Sequence, residues 1–269
     1  MTRNQFIVNA RQFIFDLDDK FPILGHPLVI GWRLLDNFKF TIEKKTLQLR
    51  AGLLAGDNQF KKELTLFLRG REAYQPLIHS DPQDVPFLRE GESRFKIIKE
   101  NFSIPKGRLL DIGASLGYFC HKFEDEGFDC YAIEEDRMLC YFMEKLKKAE
   151  QKKFKIIPQS IFDYKKKKEL SFDVVLALSI FHNFLAREDT YFELIKLLKR
   201  LKARELFFET YIPDPASPSG YYKDYAPEEF VSFIIQNSCF KKAEFIGESK
   251  DGRPLYKFTP LETRGKNNF

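Results

Sequence analysis

Four residues set at fixed intervals suggest chemistry in the segment RLLDIGASLGYFCHKFEDEGFDCYAIEED, residues 108–136. Asp111 stands two positions before Gly113, and Gly117 follows four positions later. Glycines there let the backbone come close to a ligand, and a helix that starts just after them offers free N–H groups. Glu134 lies at the end of the next apolar run, where a carboxylate can accept two hydrogen bonds from the hydroxyls of a ribose. A carboxylate at Asp111 would repel a pyrophosphate but suits a ligand bearing an ammonium group. The dinucleotide fingerprint G-x-G-x-x-G and the phosphate loop G-x-x-x-x-G-K-[ST] are both absent.

The elements that must position these groups follow from pattern. Leu109-Leu110-Asp111-Ile112 reads as a buried strand. A helix starts near Tyr118, with Phe119 and Phe123 one turn apart and Gly127 at its C-terminal end. Cys130 to Ile133 is a second strand, ending in Glu134-Glu135-Asp136. A helix over 136–151, a strand at 155–160 and a strongly apolar strand at 171–179 continue the alternation. A helix over 190–201, with Phe192, Ile195, Leu198 and Leu201 inward, leads to a fifth strand at 206–211. A helix over 227–237 precedes a hairpin that turns at Asp251-Gly252.

At these residues the chain resembles the class I S-adenosylmethionine-dependent methyltransferases. LLDIGASLG looks like their first motif, YAIEED like their second, and FDVVLALSIFHNF like the fourth motif of the metabolite-type enzymes. The resemblance spans roughly residues 93–260. It implies an α/β, Rossmann-like, seven-stranded, mostly parallel sheet with a C-terminal antiparallel hairpin, to which the residues ahead of it add an N-terminal helical extension. It implies S-adenosylmethionine as cofactor, with S-adenosylhomocysteine as product. Asp111, Gly113, Ala114, Ser115 and Gly117 would surround the methionine part, Tyr118 would close over it, and Glu134 would hold the ribose. Ser160 or the Ile161 backbone would meet the adenine, with Asp163 a candidate shifted by three, and Leu178 would line the same pocket. Two departures stand out: Ser115 replaces a middle glycine, and no acid occupies position 160.

Methyl transfer from a sulfonium asks the protein to position donor and acceptor and to remove a proton. His182, after the fourth strand, is the first candidate base. It can equally pack and cap its loop. Glu209 can orient the acceptor or simply end the fifth strand. Arg94 reads as a solvated surface arginine, although such domains often close over the ligand there. The (N/D/S)-P-P-(Y/F) motif and a Pro-Cys nucleophile are absent, which argues against DNA amino- and 5-methylcytosine chemistry. No His/Asp/Glu cluster suggests a metal.

Composition bounds the rest. The chain has 269 residues, 43% hydrophobic and 31% charged, with a formal net charge of +5, enough for a full core and only mildly basic. Cys120, Cys130, Cys140 and Cys239 form no C-x-x-C pair and read as free thiols in a reducing cytosol. The expected location is cytoplasmic, with neither signal-peptide layout nor membrane span.

Residues 1–80 read as a helical extension, with an amphipathic helix over 4–20 and a second helical region over 42–68 interrupted near 52–58. Between them an apolar stretch is broken by Pro22, Gly25, Pro27 and Gly31. The extension can cover apolar surface of the main domain or of a twin subunit in a homodimer, or act as a lid or acceptor-recognition element. Lys165 to Lys168, with nearby lysines from Lys145 to Lys155, form a basic sector that leaves RNA open as a partner. YQPL at 74–77, ESRF at 92–95 and ETYIPDP at 209–215 are distantly similar to the enzyme that carboxymethylates wobble uridine in tRNA. The leading expectation is methyl transfer to an O or N atom of a small molecule. The alternatives are a tRNA-modifying transferase and a non-catalytic cofactor-binding module.

Overall fold

The computed structural model describes residues 27–54, 58–78, 85–166, 168–212 and 220–261. The helix expected over 4–20 lies outside them. The chain divides into two compact units between Phe67 and Leu68.

The first unit contains helix α1, Pro27–Gly52, and most of α2, Gln59–Leu68. The stretch expected to be broken by Pro27 and Gly31 is instead helical from Pro27 onward. Proline is tolerated at a helix start, where its missing N–H has no partner to lose. One interior glycine costs only about 1 kcal/mol, which a helix of 26 residues absorbs.

The second unit is built on one seven-stranded sheet in the order β3-β2-β1-β4-β5-β7-β6. The strands are β1 Arg108–Ile112, β2 Asp129–Glu134, β3 Lys155–Pro158, β4 Leu170–Leu178, β5 Leu201–Glu209, β6 Phe240–Glu248 and β7 Pro254–Pro260. The first five pair in parallel, and β7 runs antiparallel to both β5 and β6. The helices are α3 Glu92–Glu100, α4 Tyr118–Asp125, α5 Arg137–Ala149, α6 Glu188–Arg200 and α7 Pro227–Asn237, with a 3₁₀ turn at Phe181–Leu185. The strand order reverses between β1 and β4, the place where open α/β sheets bind ligands.

Strand pleating assigns each side chain to a face. Leu110, Ile112, Val175, Ala177, Leu206 and Phe208 pack with α6 and α7. Leu109, Val174, Leu176 and Phe207 pack with α3, α4 and α5 on the other face. The same parity puts Asp111 and Glu209 on the α3 face, two positions beyond Leu109 and Phe207.

Two expectations are corrected. The fifth strand starts at Leu201 rather than Leu206. Its first half looks polar because Lys202, Arg204 and Glu205 interrupt it, yet Glu205 is buried in an ion pair with Lys257 at 2.9 Å. Phe192 is 46% exposed rather than inward. Leu198 and Leu201 are buried as expected and Ile195 is half-buried, while Leu194 and Leu197 complete the buried stripe.

Candidate functional site

The turn after β1 is held in a shape that few residues tolerate. Gly113, Ser115 and Gly117 have φ of 72°, 54° and 83°. A Cβ on Gly113 would lie 2.9 Å from Ile180 Cδ1, and one on Gly117 would lie 2.8 Å from Met143 Cγ. Conformation and close approach therefore both demand glycine at these positions. The amides of Gly113 and Ala114 donate to the Ile133 carbonyl at 2.9 and 3.0 Å, tying the turn to β2. Ser115 occupies the left-handed region without being glycine, and its amide donates to Glu134 Oε2 at 2.9 Å. Gly117 caps α4, and no side chain makes a capping hydrogen bond to that helix end.

Around this turn stand the expected cofactor residues. Glu134 accepts from Ser115 N and, through Oε1, from Asp136 N at 2.9 Å. Each carboxylate oxygen thus keeps a lone pair. Tyr118 is buried, and its hydroxyl donates to Glu92 Oε2 at 3.0 Å, which links α4 to α3. Leu178 ends β4 and is in register with Glu209. Ser160 and Ile161 lie just past β3, with Ile161 buried and the Ser160 hydroxyl accepting from Phe162 N at 3.4 Å. Asp163 is exposed and lies in the field of Arg200.

Asp111 is buried, and Oδ2 has no partner among the described residues. Burial first, then the neighbouring Glu134, pushes its carboxyl up to about 7, and Arg94 opposes the rise. Arg94 itself is fully buried, contrary to the expected solvated arginine. Its Nε donates to the Glu90 carbonyl at 2.9 Å and its Nη1 to Glu209 Oε2 at 3.3 Å. Its guanidinium carbon lies 5.3 Å from the centre of the Phe119 ring. Arg94 Nη2 is buried without a partner among the described residues. An unspent acceptor and an unspent donor on one face of the sheet match an ammonium and a carboxylate, the two ends of an amino-acid group.

A second cluster gathers at the C-terminal ends of β4 and β5. Glu209 is fully buried, and its Oε1 accepts from Arg89 Nη2 at 3.3 Å. The Ser179 hydroxyl donates to Glu209 Oε2 and accepts from Arg253 Nη1 at 3.2 Å. Arg89 Nη1 also pairs with Asp251 Oδ2 at 2.7 Å. His182 lies in the 3₁₀ turn, its ring centre 5.0 Å from that of Tyr211. Burial, then Arg253 and Arg89, lowers its pKa to about 4, so it is neutral at pH 7. The structure therefore brings His182 and Glu209 into one neighbourhood.

Sequence reasoning missed Arg89 and Arg253. Arg89 sits in a proline-bearing loop whose register is set by a bridge between Ala73 and Phe87. Arg253 follows the Asp251-Gly252 turn of the β6–β7 hairpin. Neither carried a signal, because isolated loop arginines are normally solvated. A separate cavity of about 460 Å³, lined in part by Ile212, Phe245, Pro254 and Tyr256, includes none of these polar groups. Among the described residues no group of three or more His, Cys, Asp or Glu is placed to hold a metal ion. No helix among them is long and apolar enough to cross a membrane.

Residues 110–201 match a family described as a methyltransferase domain. The match lies within the second unit and runs from β1 to the start of β5. The fold has solved counterparts. The bifunctional kinase-methyltransferase WbdD is 19% identical with a TM-score of 0.60, over 73% of this chain and 45% of that one. Monomeric WbdD gives 20% and 0.59, over 73% and 48%. The chain thus spans about half the length of the WbdD chains it matches. The PH0226 protein from Pyrococcus horikoshii OT3 is 14% identical with a TM-score of 0.51, over 72% of this chain and 98% of that one. At these identities the likeness concerns the fold alone. No curated protein matches the sequence.

Proposed function

We propose that the domain transfers a methyl group from S-adenosylmethionine to an oxygen or nitrogen atom of a small-molecule acceptor. The observation that carries this reading is the buried pair of unspent polar atoms, Asp111 Oδ2 and Arg94 Nη2, beside a turn that leaves no room for a side chain at Gly113 and Gly117. They fit the two charged ends of the methionine part. Glu134, with a free lone pair on each oxygen, fits the ribose. Ser160 or the Ile161 backbone would meet the adenine. When bound, the cofactor supplies a methyl group already activated on a sulfonium.

The chain's own residues then bind, orient and hold a proton. Ionised Asp111 would hold the ammonium, and Arg94 the carboxylate. Glu209 acts as a positioning residue, since its carboxylate is engaged by Arg89, Arg94 and Ser179. His182 is neutral and can accept a proton at Nδ1, which is buried and unpartnered among the described residues. A pKa near 4 makes it a weak base, suited to an acidic acceptor group rather than an alcohol.

A small acceptor is also supported by the basic sector, where acids already partner many lysines. Lys147 and Lys148 each lie 3.5 Å from Glu144, and Lys155 lies 3.5 Å from Asp129. Lys152 pairs with Asp125. The test is transfer of a labelled methyl group from S-adenosylmethionine to two fractions of one cell extract, small metabolites and bulk small RNA. Label should enter the metabolite fraction and be suppressed by Glu134→Ala. Label confined to RNA would overturn the small-molecule reading.

A further inference from the structure

The cluster beyond β4 and β5 carries more positive charge than the fold uses. Three guanidiniums, those of Arg89, Arg94 and Arg253, meet two carboxylates, those of Glu209 and Asp251. Glu209 is divided between Arg89 and Arg94 and also accepts from Ser179. The Arg253 guanidinium reaches only the Ser179 hydroxyl by hydrogen bond among the described residues. It also feels Arg89 as a like charge, ahead of the opposing attraction of Glu209 and Asp251.

Donors are left over as well. Arg89 is 8% exposed, and its Nε is buried without a partner among the described residues. The Tyr211 hydroxyl is buried in the same state, beside the His182 ring. A buried guanidinium N–H with nothing to bond costs free energy unless a ligand completes it. Two guanidiniums on facing loops offer planar, forked donors that match the oxygens of a carboxylate or a phosphate. Resting on the methyltransferase reading above, we propose that Arg89 and Arg253 bind an oxyanion, a carboxylate or phosphate carried by the methyl acceptor. Arg94, on the Asp111 side, remains for the cofactor. The substrate class is then an anionic small molecule, held by its charged group while another part, or the oxyanion itself, faces the methyl.

The test is calorimetric titration of inorganic phosphate, and separately of benzoate, into protein saturated with S-adenosylhomocysteine. Wild type is compared with Arg253→Gln and Asp251→Asn. At least one anion should bind saturably. Arg253→Gln should weaken it at least about tenfold, one charged contact's worth. Asp251→Asn should tighten it, because Arg89 Nη1 loses its competing carboxylate, an outcome that misfolding cannot mimic. Phosphate alone would name a phosphate-bearing acceptor, and benzoate alone a carboxylate-bearing one. If neither anion binds, or binding ignores both substitutions, the proposal fails. It also fails if the anion displaces S-adenosylhomocysteine, since the arginines would then serve the cofactor's carboxylate. If S-adenosylhomocysteine itself does not bind, the methyltransferase reading fails, and the same anions titrated into ligand-free protein test the arginine site separately.

Discussion

Arg94 Nη1, in the helix ahead of the first strand, donates to Glu209 Oε2, at the end of the fifth, over 3.3 Å. Both side chains are fully buried. This contact draws α3 onto the sheet edge and brings a cation to Asp111. Removing the carboxylate would leave two buried guanidiniums without it. Glu209→Ala should destabilise the fold by about 3–5 kcal/mol in urea denaturation. A loss below about 1 kcal/mol would show that the arginines do not depend on it.

Asp111 makes cofactor binding depend on pH. Its folded pKa is raised to about 7, so the stability its protonated form contributes is full below the ordinary carboxylate value and lost as pH rises through about 7. Binding an ammonium requires the ionised form. Affinity for S-adenosylhomocysteine should therefore fall by up to about tenfold per pH unit below about 7. Asp111→Asn should bind weakly and lose this slope. An unchanged slope in Asp111→Asn would assign the proton elsewhere.

His121 is a buried histidine with no place in the proposed chemistry. Both ring nitrogens lack partners among the described residues, and the ring meets Phe154 edge-on at 4.9 Å. Burial, then Lys152, lowers its pKa to about 4. For a depressed histidine the contribution is present above the unfolded value and lost as pH falls toward the folded one. That amounts to about 2 kcal/mol between about pH 7 and pH 5. His121→Leu should be more stable at the lower pH and lose about that much less across the interval. Parallel losses in both proteins would place the acid sensitivity in other groups, His182 among them.

Gly113 combines a φ of 72° with a contact that leaves no room for a methyl group. Gly113→Ala should cost about 1–3 kcal/mol of stability and weaken S-adenosylhomocysteine by at least about tenfold, because the turn must shift away from Ile180 and out of its left-handed conformation. Tight binding by this variant would mean that the turn is not the cofactor's seat.

The alternation of strand and helix from Leu109 to the final hairpin was legible because buried parallel strands carry long apolar runs. The glycine turn and Glu134 were legible because backbone conformation demands particular residue types. Arg94, Arg89 and Arg253 were not. An arginine's type says nothing of whether its guanidinium points to water, and these three are collected by tertiary contacts from α3, a loop and a hairpin turn. Ser115 looked like a defect in the motif. In the structure it takes the left-handed conformation and aims its amide at Glu134.

The most direct measurement is calorimetric titration of S-adenosylhomocysteine into wild type and Glu134→Ala at mildly alkaline pH, where Asp111 is ionised. One molecule should bind per chain, and Glu134→Ala should weaken it at least about tenfold through loss of charged hydrogen bonds to the ribose. No binding, or equal binding by both proteins, would contradict a cofactor site built on the glycine turn and Glu134.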